Sequence, residues 1–252
     1  ALKGLGGFHL MADARNEKAV VRLRERKHRE EKPFAVMYPH LEAIQEDCEI
    51  SAQESRLLRS PESPIVILQK RKARERIASS VAPHNPQLGA LLPYTPLHHL
   101  LMRDMDRPIV LTSGNSSDEP QCIANADART RLRDIADYWL LHDREIVNRV
   151  DDSVARVMHA RPRLLRRARG YAPAPIPLPP GFADAPPVLA LGGELKNTIC
   201  LLKDGQAILS QHLGDLEDAR TADEFERTVA LYQDLFQHRP QAVAVDLHPD
   251  YR

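Results

Sequence analysis

The sequence has few cysteines, few aromatic residues and no long apolar run. Its three cysteines, Cys48, Cys122 and Cys200, lie far apart and are odd in number. They therefore fit neither a disulfide framework nor a zinc site with paired C-x-x-C ligands, and a reducing, cytoplasmic setting is expected. No apolar stretch reaches the roughly 18 residues of a membrane span, and no signal peptide is predicted.

The chain also lacks an excess of charge of either sign. Its 252 residues include 35 Lys+Arg and 35 Asp+Glu, which gives a formal net charge of zero. No whole-chain field therefore attracts nucleic acid or an anionic membrane, and any anion site must be local. Because the chain starts at Ala1 without an initiator Met and ends at Arg252 just after an apolar strand, we expect a fragment cut at both ends.

Several catalytic motifs are missing as well. The sequence has no H-E-x-x-H metal motif and no G-x-S-x-G serine elbow. The neighbouring His98 and His99 point about 100° apart on a helix and are poorly placed to bind one ion together. We therefore predict no metal site among the side chains of this chain.

What is present is an alternation of helical and strand patterns, which predicts an α/β fold. The main helices are predicted at 14–31, 51–61, 96–105, 125–134 and 222–237, and 69–87 reads as a polar stretch. Strands are predicted at 34–37, 65–68, 109–111, 138–141, 153–157, 164–165, 188–191, 198–203, 207–211 and 242–245. The density of proline predicts an extended linker at 172–187, between a first domain at 1–171 and a second at 188–252.

Polar and cationic groups cluster at five places in the first domain. They are Lys3-Gly4-Leu5-Gly6-Gly7, the basic residues of 26–33, the loop 111–120 after a strand, residues 148–154, and Arg166-Arg167-Ala168-Arg169-Gly170-Tyr171. Each cluster has an ordinary structural explanation, such as a tight turn or a solvated helix end. Together they indicate a local polyphosphate site, since ligands bind at strand carboxyl ends and guanidinium groups match phosphate oxygens.

Taken in order, these clusters and Leu92-Pro93-Tyr94-Thr95-Pro96 resemble the YrdC-like domain of HypF-type carbamoyltransferases. The resemblance continues after the linker through Gly192-Gly193-Glu194-Leu195-Lys196-Asn197-Thr198, the motif 210–216 and the motif 246–251. It implies a YrdC-like twisted mixed sheet with flanking helices, followed by the beginning of an actin-like, Kae-type domain of the ASKHA class.

The resemblance also implies an activity. In that family the YrdC-like domain makes carbamoyl adenylate from ATP and carbamoyl phosphate. The Kae-type domain then passes the carbamoyl group to the C-terminal cysteine of HypE, in nickel–iron hydrogenase maturation. Mg²⁺ is expected with the nucleotide.

The resemblance also implies roles for the residues of this sequence that match the family's motifs. Lys27, Arg29 and Lys32 are the expected catalytic cations. The expected ligands of ATP and carbamoyl phosphate are Lys3, Thr112, Ser113, Asn115, Arg149, Ser153, Arg167 and Arg169. In the second domain, Gly192, Gly193, Lys196 and Asp215 are expected to bind a ligand.

The sequence departs from the family in what it omits. The acylphosphatase-like domain and the cysteine-rich zinc-finger region are absent, and the histidine metal ligands of the Kae-type domain are expected beyond its end. The zinc or iron sites of the full-length family are therefore not expected here.

Three alternatives stay open. One is a secondary-metabolite O-carbamoyltransferase, in which the two domains are expected in the opposite order. A threonylcarbamoyl-adenylate synthase of the YrdC/TsaC type shares the fold, although the motifs after the linker argue against it. An RNA-binding module that uses the arginine clusters lacks interleaved aromatics, which make up 5% of the chain.

Overall fold

The computed structural model describes residues 1–71, 76–116 and 119–251. The chain divides after Arg166 into two compact units, with residues 119 and 120 grouped with the second. Within the described residues, no helix has the length and hydropathy needed to cross a bilayer.

The first unit is built on a mixed sheet. Its strands are β1 (Leu2–Lys3), β2 (Phe8–Asp13), β3 (Ala35–Met37), β4 (Cys48–Glu49), β5 (Ile65–Lys70), β6 (Gln87–Leu91), β7 (Ile109–Ser113), β8 (Val154–Met158) and β9 (Arg161–Arg166). They lie in the order β1-β2-β7-β3-β6-β5-β8-β9, and β4 pairs with β5. Parallel pairing joins β3 to β6 and β5 to β8, and the other neighbours are antiparallel.

In the described part of this unit the α-helices are α1 (Glu17–Lys27), α2 (Leu41–Asp47), α3 (Ala52–Leu58), α4 (Pro96–Met105) and α5 (Asn125–Arg131). Their starts follow local chemistry. Ser51 and Glu54 form a reciprocal capping box on α3, and the Thr95 side chain caps α4 ahead of Pro96. The Asn16 side chain caps the start of α1, and His28, which adopts a left-handed conformation, follows its last residue.

Both faces of this sheet are covered. The larger core contains Phe8, Val36, Tyr38 and Val66, and a smaller one joins Met102 of α4 to strand residues such as Leu111. Because the central strands are buried on both sides, the sheet holds the ends of β2 and β7 at fixed positions.

The second unit has a five-stranded sheet with the order β10-β13-β12-β11-β14 and one long helix, α6 (Ala219–Leu235). Its strands are β10 (Ile176–Pro177), β11 (Val188–Leu191), β12 (Ile199–Lys203), β13 (Gln206–Leu209) and β14 (Ala242–Ala244). Leu189, Leu201 and Ile208 from the sheet pack with Tyr232 of α6.

Some elements differ from the predictions. The strand predicted at 138–141 is wrong, since this segment forms only an isolated bridge between Leu140 and Leu2. The elements β1, β2, β4, β6 and α2 were not predicted. Strand β6 contains Gly89 and Ala90, which are weak strand formers, yet pairing with β3 and β5 on both sides stabilises it.

The proline-rich segment also contains structure. Ile176 and Pro177 form β10, which pairs with β13, although no strand was predicted there. Proline is tolerated because β10 is an edge strand. Parts of three predictions lie outside the described residues. These are residues 72–75 of the polar stretch, Ser117 and Asp118 of the loop after β7, and Arg252 at the end of the second domain.

Candidate active site

Lys27 is the last residue of α1, and its ammonium group reaches the loop that follows β7. Its Nζ donates to the Ser113 carbonyl oxygen at 2.8 Å and to the Asn115 carbonyl oxygen at 2.6 Å, and it also contacts Asn115 Oδ1. The Ser113 hydroxyl donates to the same Oδ1 at 2.7 Å. Three of the predicted site residues therefore form one hydrogen-bonded group at the carboxyl end of a strand.

Burial strongly affects the charge of this lysine, whose residue is only 1% exposed. Desolvation is the main cause that lowers the pKa of Lys27 to about 7, and the positive charges of Arg29 and Lys32 add to it. The ammonium form supplies three donors, so the contacts with Ser113 and Asn115 favour that form. An anionic ligand beside this group would favour it further.

The glycine cluster is a hairpin turn between β1 and β2, closed by a hydrogen bond of 2.9 Å from Gly4 N to Gly7 O. Its carbonyl at Gly6 accepts from Val150 N at 3.0 Å and from Gln121 Nε2 at 3.2 Å. A Cβ on Gly6 would collide with the Val150 carbonyl oxygen and Cγ1. The glycine is required by this close approach, which joins the first cluster to the segment 148–154.

Two further predicted cations are held by backbone carbonyls around this turn. Arg149 Nε donates to the Gln121 carbonyl oxygen at 2.8 Å, and Lys3 Nζ donates to the His142 carbonyl oxygen at 3.1 Å. Lys3 is buried, while Arg149 is half-buried. Gln121 was not predicted, yet its side-chain amide links Gly6 to Val150.

The basic segment 26–33 is organised by Arg24, a residue that the sequence analysis missed. Arg24 Nη1 donates to the carbonyl oxygens of Arg29, Glu30 and Lys32 at 3.0, 3.1 and 3.3 Å. The same guanidinium binds the carbonyl oxygens of Ser80 and Val81 and lies over the Phe34 ring. A buried guanidinium that satisfies several carbonyl groups fixes the course of this loop.

Arg29 lies within the loop that Arg24 holds. Its Nε donates to the Lys32 carbonyl oxygen at 2.9 Å and its Nη2 to the Pro33 carbonyl oxygen at 2.7 Å. Desolvation, followed by the charges of Arg24 and Arg166, lowers the pKa of Arg29 to about 10. Lys32 is exposed. Only part of the basic segment therefore contributes to the hydrogen-bonded group of Lys27, Ser113 and Asn115. Arg26 instead donates to Asp137 Oδ1 at 2.8 Å.

The other two predicted residues of the first unit belong to the sheet framework. Thr112 is buried within β7, where it pairs with Leu10. Ser153 is fully buried just before β8, and its carbonyl oxygen accepts from Ile65 N at 2.8 Å. In β2, Nε2 of the buried His9 lies 3.5 Å from Asp152 Oδ2. His9 was not predicted as a site residue.

The remaining predicted residues belong to the second unit. Arg167 Nη2 donates to the carbonyl oxygens of Tyr171 and Ala174, each at 2.8 Å, and Arg169 is buried. Arg167 therefore fixes the start of the proline-rich segment.

The Gly192 motif of the second unit forms a tight turn. Asn197 Nδ2 donates to the carbonyl oxygens of Gly192 and Gly193, both at 2.9 Å. Asp215 Oδ1 accepts from the Lys196 backbone N–H at 2.6 Å. Asn197 was not predicted as a site residue, although its place within the motif is the feature that points to it.

No group of three or more His, Cys, Asp and Glu side chains suitable for a metal ion is found in the part of the chain that the structure describes. The cationic and hydroxyl groups of the first unit suit phosphate oxygens instead.

Comparison with known families agrees with the order of these motifs. The model of the Sua5, YciO and YrdC proteins, described as "Telomere recombination", matches residues 1–168. The HypF Kae1-like domain matches residues 183–252. The chain belongs to the Sua5/YciO/YrdC family, and it is of the HypF type because the HypF Kae1-like domain follows. The resemblance proposed from the sequence is confirmed.

Relatives of the whole chain are carbamoyltransferases. The chain is 50% identical to carbamoyltransferase HypF of Synechocystis sp. over 251 residues and 50% identical to that of Rhodobacter capsulatus over 252 residues. All of this chain is covered in both comparisons, but only 32% and 33% of the relatives. The chain thus spans about a third of their length.

Solved structures confirm the mixed α/β fold. A crystal structure of full-length HypF in a phosphate- and nucleotide-bound form has a TM-score of 0.94 and 45% identity, and covers 99% of this chain and 39% of that one. The T. kodakarensis HypF structure also has a TM-score of 0.94, at 34% identity, with 99% and 33% coverage. P. abyssi Sua5 complexed with L-threonine has a TM-score of 0.57 at 20% identity, covering 67% and 49%, which shows a shared fold.

Proposed function

We propose that the first unit activates carbamate, derived from carbamoyl phosphate, with ATP to form carbamoyl adenylate. The observation that carries this proposal is the buried Lys27 ammonium at the loop of Ser113 and Asn115. It places a positive charge beside hydroxyl and amide groups at the carboxyl end of β7. The proposal is also supported by a HypF relative, 45% identical, that was solved in a phosphate- and nucleotide-bound form.

The reaction needs positioned charge more than a protein nucleophile. Water first hydrolyses carbamoyl phosphate to carbamate and inorganic phosphate. A carbamate oxygen then attacks the α-phosphorus of ATP, the bond from that phosphorus to the oxygen that bridges it to the β-phosphorus breaks, and pyrophosphate leaves. Because carbamate and triphosphate are both anionic, cations that hold them together offset their repulsion. We assign this role to Lys3, Lys27, Arg29, Lys32 and Arg149.

The remaining roles are orientation and charge balance. Ser113 and Asn115 would orient the nucleotide and carbamate, and Thr112 and Ser153 would support the backbone on either side of the site. We assign Mg²⁺ to the nucleotide phosphates, because the ion would enter the site together with the nucleotide.

The second unit would begin the transfer step. We propose that the turn of Gly192, Gly193 and Lys196, with Asp215, is the start of a surface that receives the activated carbamoyl group. The final acceptor would be the C-terminal cysteine of HypE, in hydrogenase maturation. The support is the match to the HypF Kae1-like domain and the fixed turn that Asn197 holds.

Pyrophosphate exchange into ATP tests the activation step. The purified chain is incubated with ATP, Mg²⁺ and labelled pyrophosphate, with one of three donors: carbamoyl phosphate, carbamate supplied as ammonium bicarbonate, or threonine with bicarbonate. Exchange with carbamoyl phosphate or carbamate supports the proposal. Exchange with threonine and bicarbonate only would assign the chain to the threonylcarbamoyl-adenylate synthases, whose fold it shares.

A further inference from the structure

The hairpin of β8 and β9 carries four arginines on one face. Arg156 pairs directly with Arg163, Met158 with Arg161, and Val154 with Arg166. Paired residues share a face of a sheet, and Val154, Arg156 and Met158 share one face because side chains alternate along β8. The register shift between Val154 and Ala155 adds one residue to β9, so Arg166, opposite Val154, lies on the same face as Arg161 and Arg163. We call this set, Arg156, Arg161, Arg163 and Arg166, the arginine face. The opposite face carries Ala155 and Val157, which pack in the main core.

The positive charge of the arginine face is not neutralised locally. None of its four arginines forms an ion pair with a described residue, whereas exposed arginines elsewhere in the first unit do, such as Arg103 with Asp104 and Arg133 with Asp134. Arg156 and Arg163 are like charges placed directly opposite each other, an arrangement that destabilises an antiparallel pair. In a chain of zero net charge, this is a strongly positive local surface.

The arginine face continues toward the candidate active site. Its member Arg166 pairs with Val154, which directly follows the predicted site residue Ser153. The charge of Arg166 is also one of the causes that lower the pKa of Arg29. Arg29 in turn lies in the loop that Arg24 fixes beside Lys27. Strand β9 is the edge of the sheet, and Arg161 and Arg163 are exposed, so an anion in solution meets this face directly.

We propose that the arginine face captures the anionic substrate ATP and guides its polyphosphate toward the candidate active site. This inference rests on the proposed function, because it takes ATP as the substrate. A surface of one sign beside a site raises association rates by about 10- to 1,000-fold, and salt screens the effect. The face would act on the rate of capture and leave the chemical step unchanged.

A matched pair of double variants tests this inference. Arg161→Glu with Arg163→Glu reverses two charges on the face, and Arg103→Glu with Arg133→Glu makes the same charge change elsewhere in the first unit. The association rate of a fluorescent ATP analogue is measured by stopped flow at increasing salt. We expect about a tenfold slower rate at low salt for the face variant, a difference that disappears near 0.5 M salt. Equal rates in the two variants, or a loss that salt does not change, would overturn the proposal.

Two further measurements separate capture from other effects. Arg163→Glu faces Arg156 and turns a repulsive pair into an attractive one, so the melting temperature should hold or rise. If it falls, Arg161→Gln with Arg163→Gln replaces the pair, with a smaller loss of rate expected. Wild-type binding without exchange for any donor would refute the proposed function, while the salt dependence would still decide the role of the arginine face.

Discussion

The Lys27 ammonium nitrogen lies 2.6 Å from the Asn115 carbonyl oxygen, which ties the end of α1 to the loop after β7. Their positions are 88 residues apart in the chain. The contact explains why a lysine at a helix end is almost fully buried, and it makes the shape of the loop depend on a charged group.

Replacing Lys27 tests this dependence. Lys27→Ala leaves the carbonyl oxygens of Ser113 and Asn115 without their buried donor, which costs about 1–3 kcal/mol of unfolding free energy. We expect pyrophosphate exchange to fall by about 100-fold, equivalent to about 2.7 kcal/mol. Exchange assays and thermal unfolding measure the two effects. Wild-type exchange in this variant would refute the role of Lys27.

The pH dependence of stability follows from the same residue. Because the pKa of Lys27 is about 7 in the folded chain and near its usual 10.5 in the unfolded chain, the unfolded chain binds more protons between these values. The unfolding free energy therefore rises with pH from about 7 upward, by at most about 1.4 kcal/mol per pH unit, and this group adds no slope at lower pH. Denaturant unfolding at pH 6, 7, 8 and 9 should show the rise in the wild type but not in Lys27→Met. Parallel curves for the two proteins would contradict it.

Gly6 tests the packing of the hairpin turn. In Gly6→Ala the new methyl group would overlap the Val150 carbonyl oxygen, so the turn must move away from Gln121 and Val150. We expect exchange to fall at least tenfold and the melting temperature to decrease. Gly181→Ala is the matched control, since no atom lies within 4 Å of its added Cβ. If both variants behave as the wild type does, the close approach at Gly6 is not needed.

Arg24 tests the organisation of the basic loop. Arg24→Lys keeps the charge but loses most of the contacts with the carbonyls of Arg29, Glu30 and Lys32. We expect the KM for ATP to rise about tenfold with a smaller change in kcat, because the cations are displaced but remain present. The control is Arg26→Lys, whose contacts go to Asp137 and Ile135. An equal effect in both variants would show that Arg24 has no special role in the loop.

Local sequence patterns predicted the elements that have strong local signals. Helix α4 matches its predicted bounds because Thr95 and Pro96 define its start, and β11 matches because four apolar residues follow the proline-rich segment. Strand β6 was missed because pairing with two neighbours, and not its own composition, makes it a strand. The segment 138–141 is the converse case, where an apolar run gains only one bridge to the two-residue strand β1.

In the candidate site, too, the sequence pointed to some residues and missed others. Its motifs pointed to Lys27, Ser113 and Asn115, which form one hydrogen-bonded group in the structure. They did not identify Arg24 or Gln121, because both act by holding backbone carbonyls of segments that are distant in sequence. Such contacts depend on how the chain folds back, and no local pattern encodes them.

The identity of the product tests directly whether the first unit forms carbamoyl adenylate. The chain is incubated with ATP labelled in its α-phosphate and with carbon-labelled carbamoyl phosphate or carbamate, and the products are separated and analysed by mass spectrometry. We expect one labile species that carries both labels, together with pyrophosphate, and we expect it to be lost in Lys27→Ala. A doubly labelled species that forms only when threonine and labelled bicarbonate are supplied would contradict carbamoyl adenylate formation.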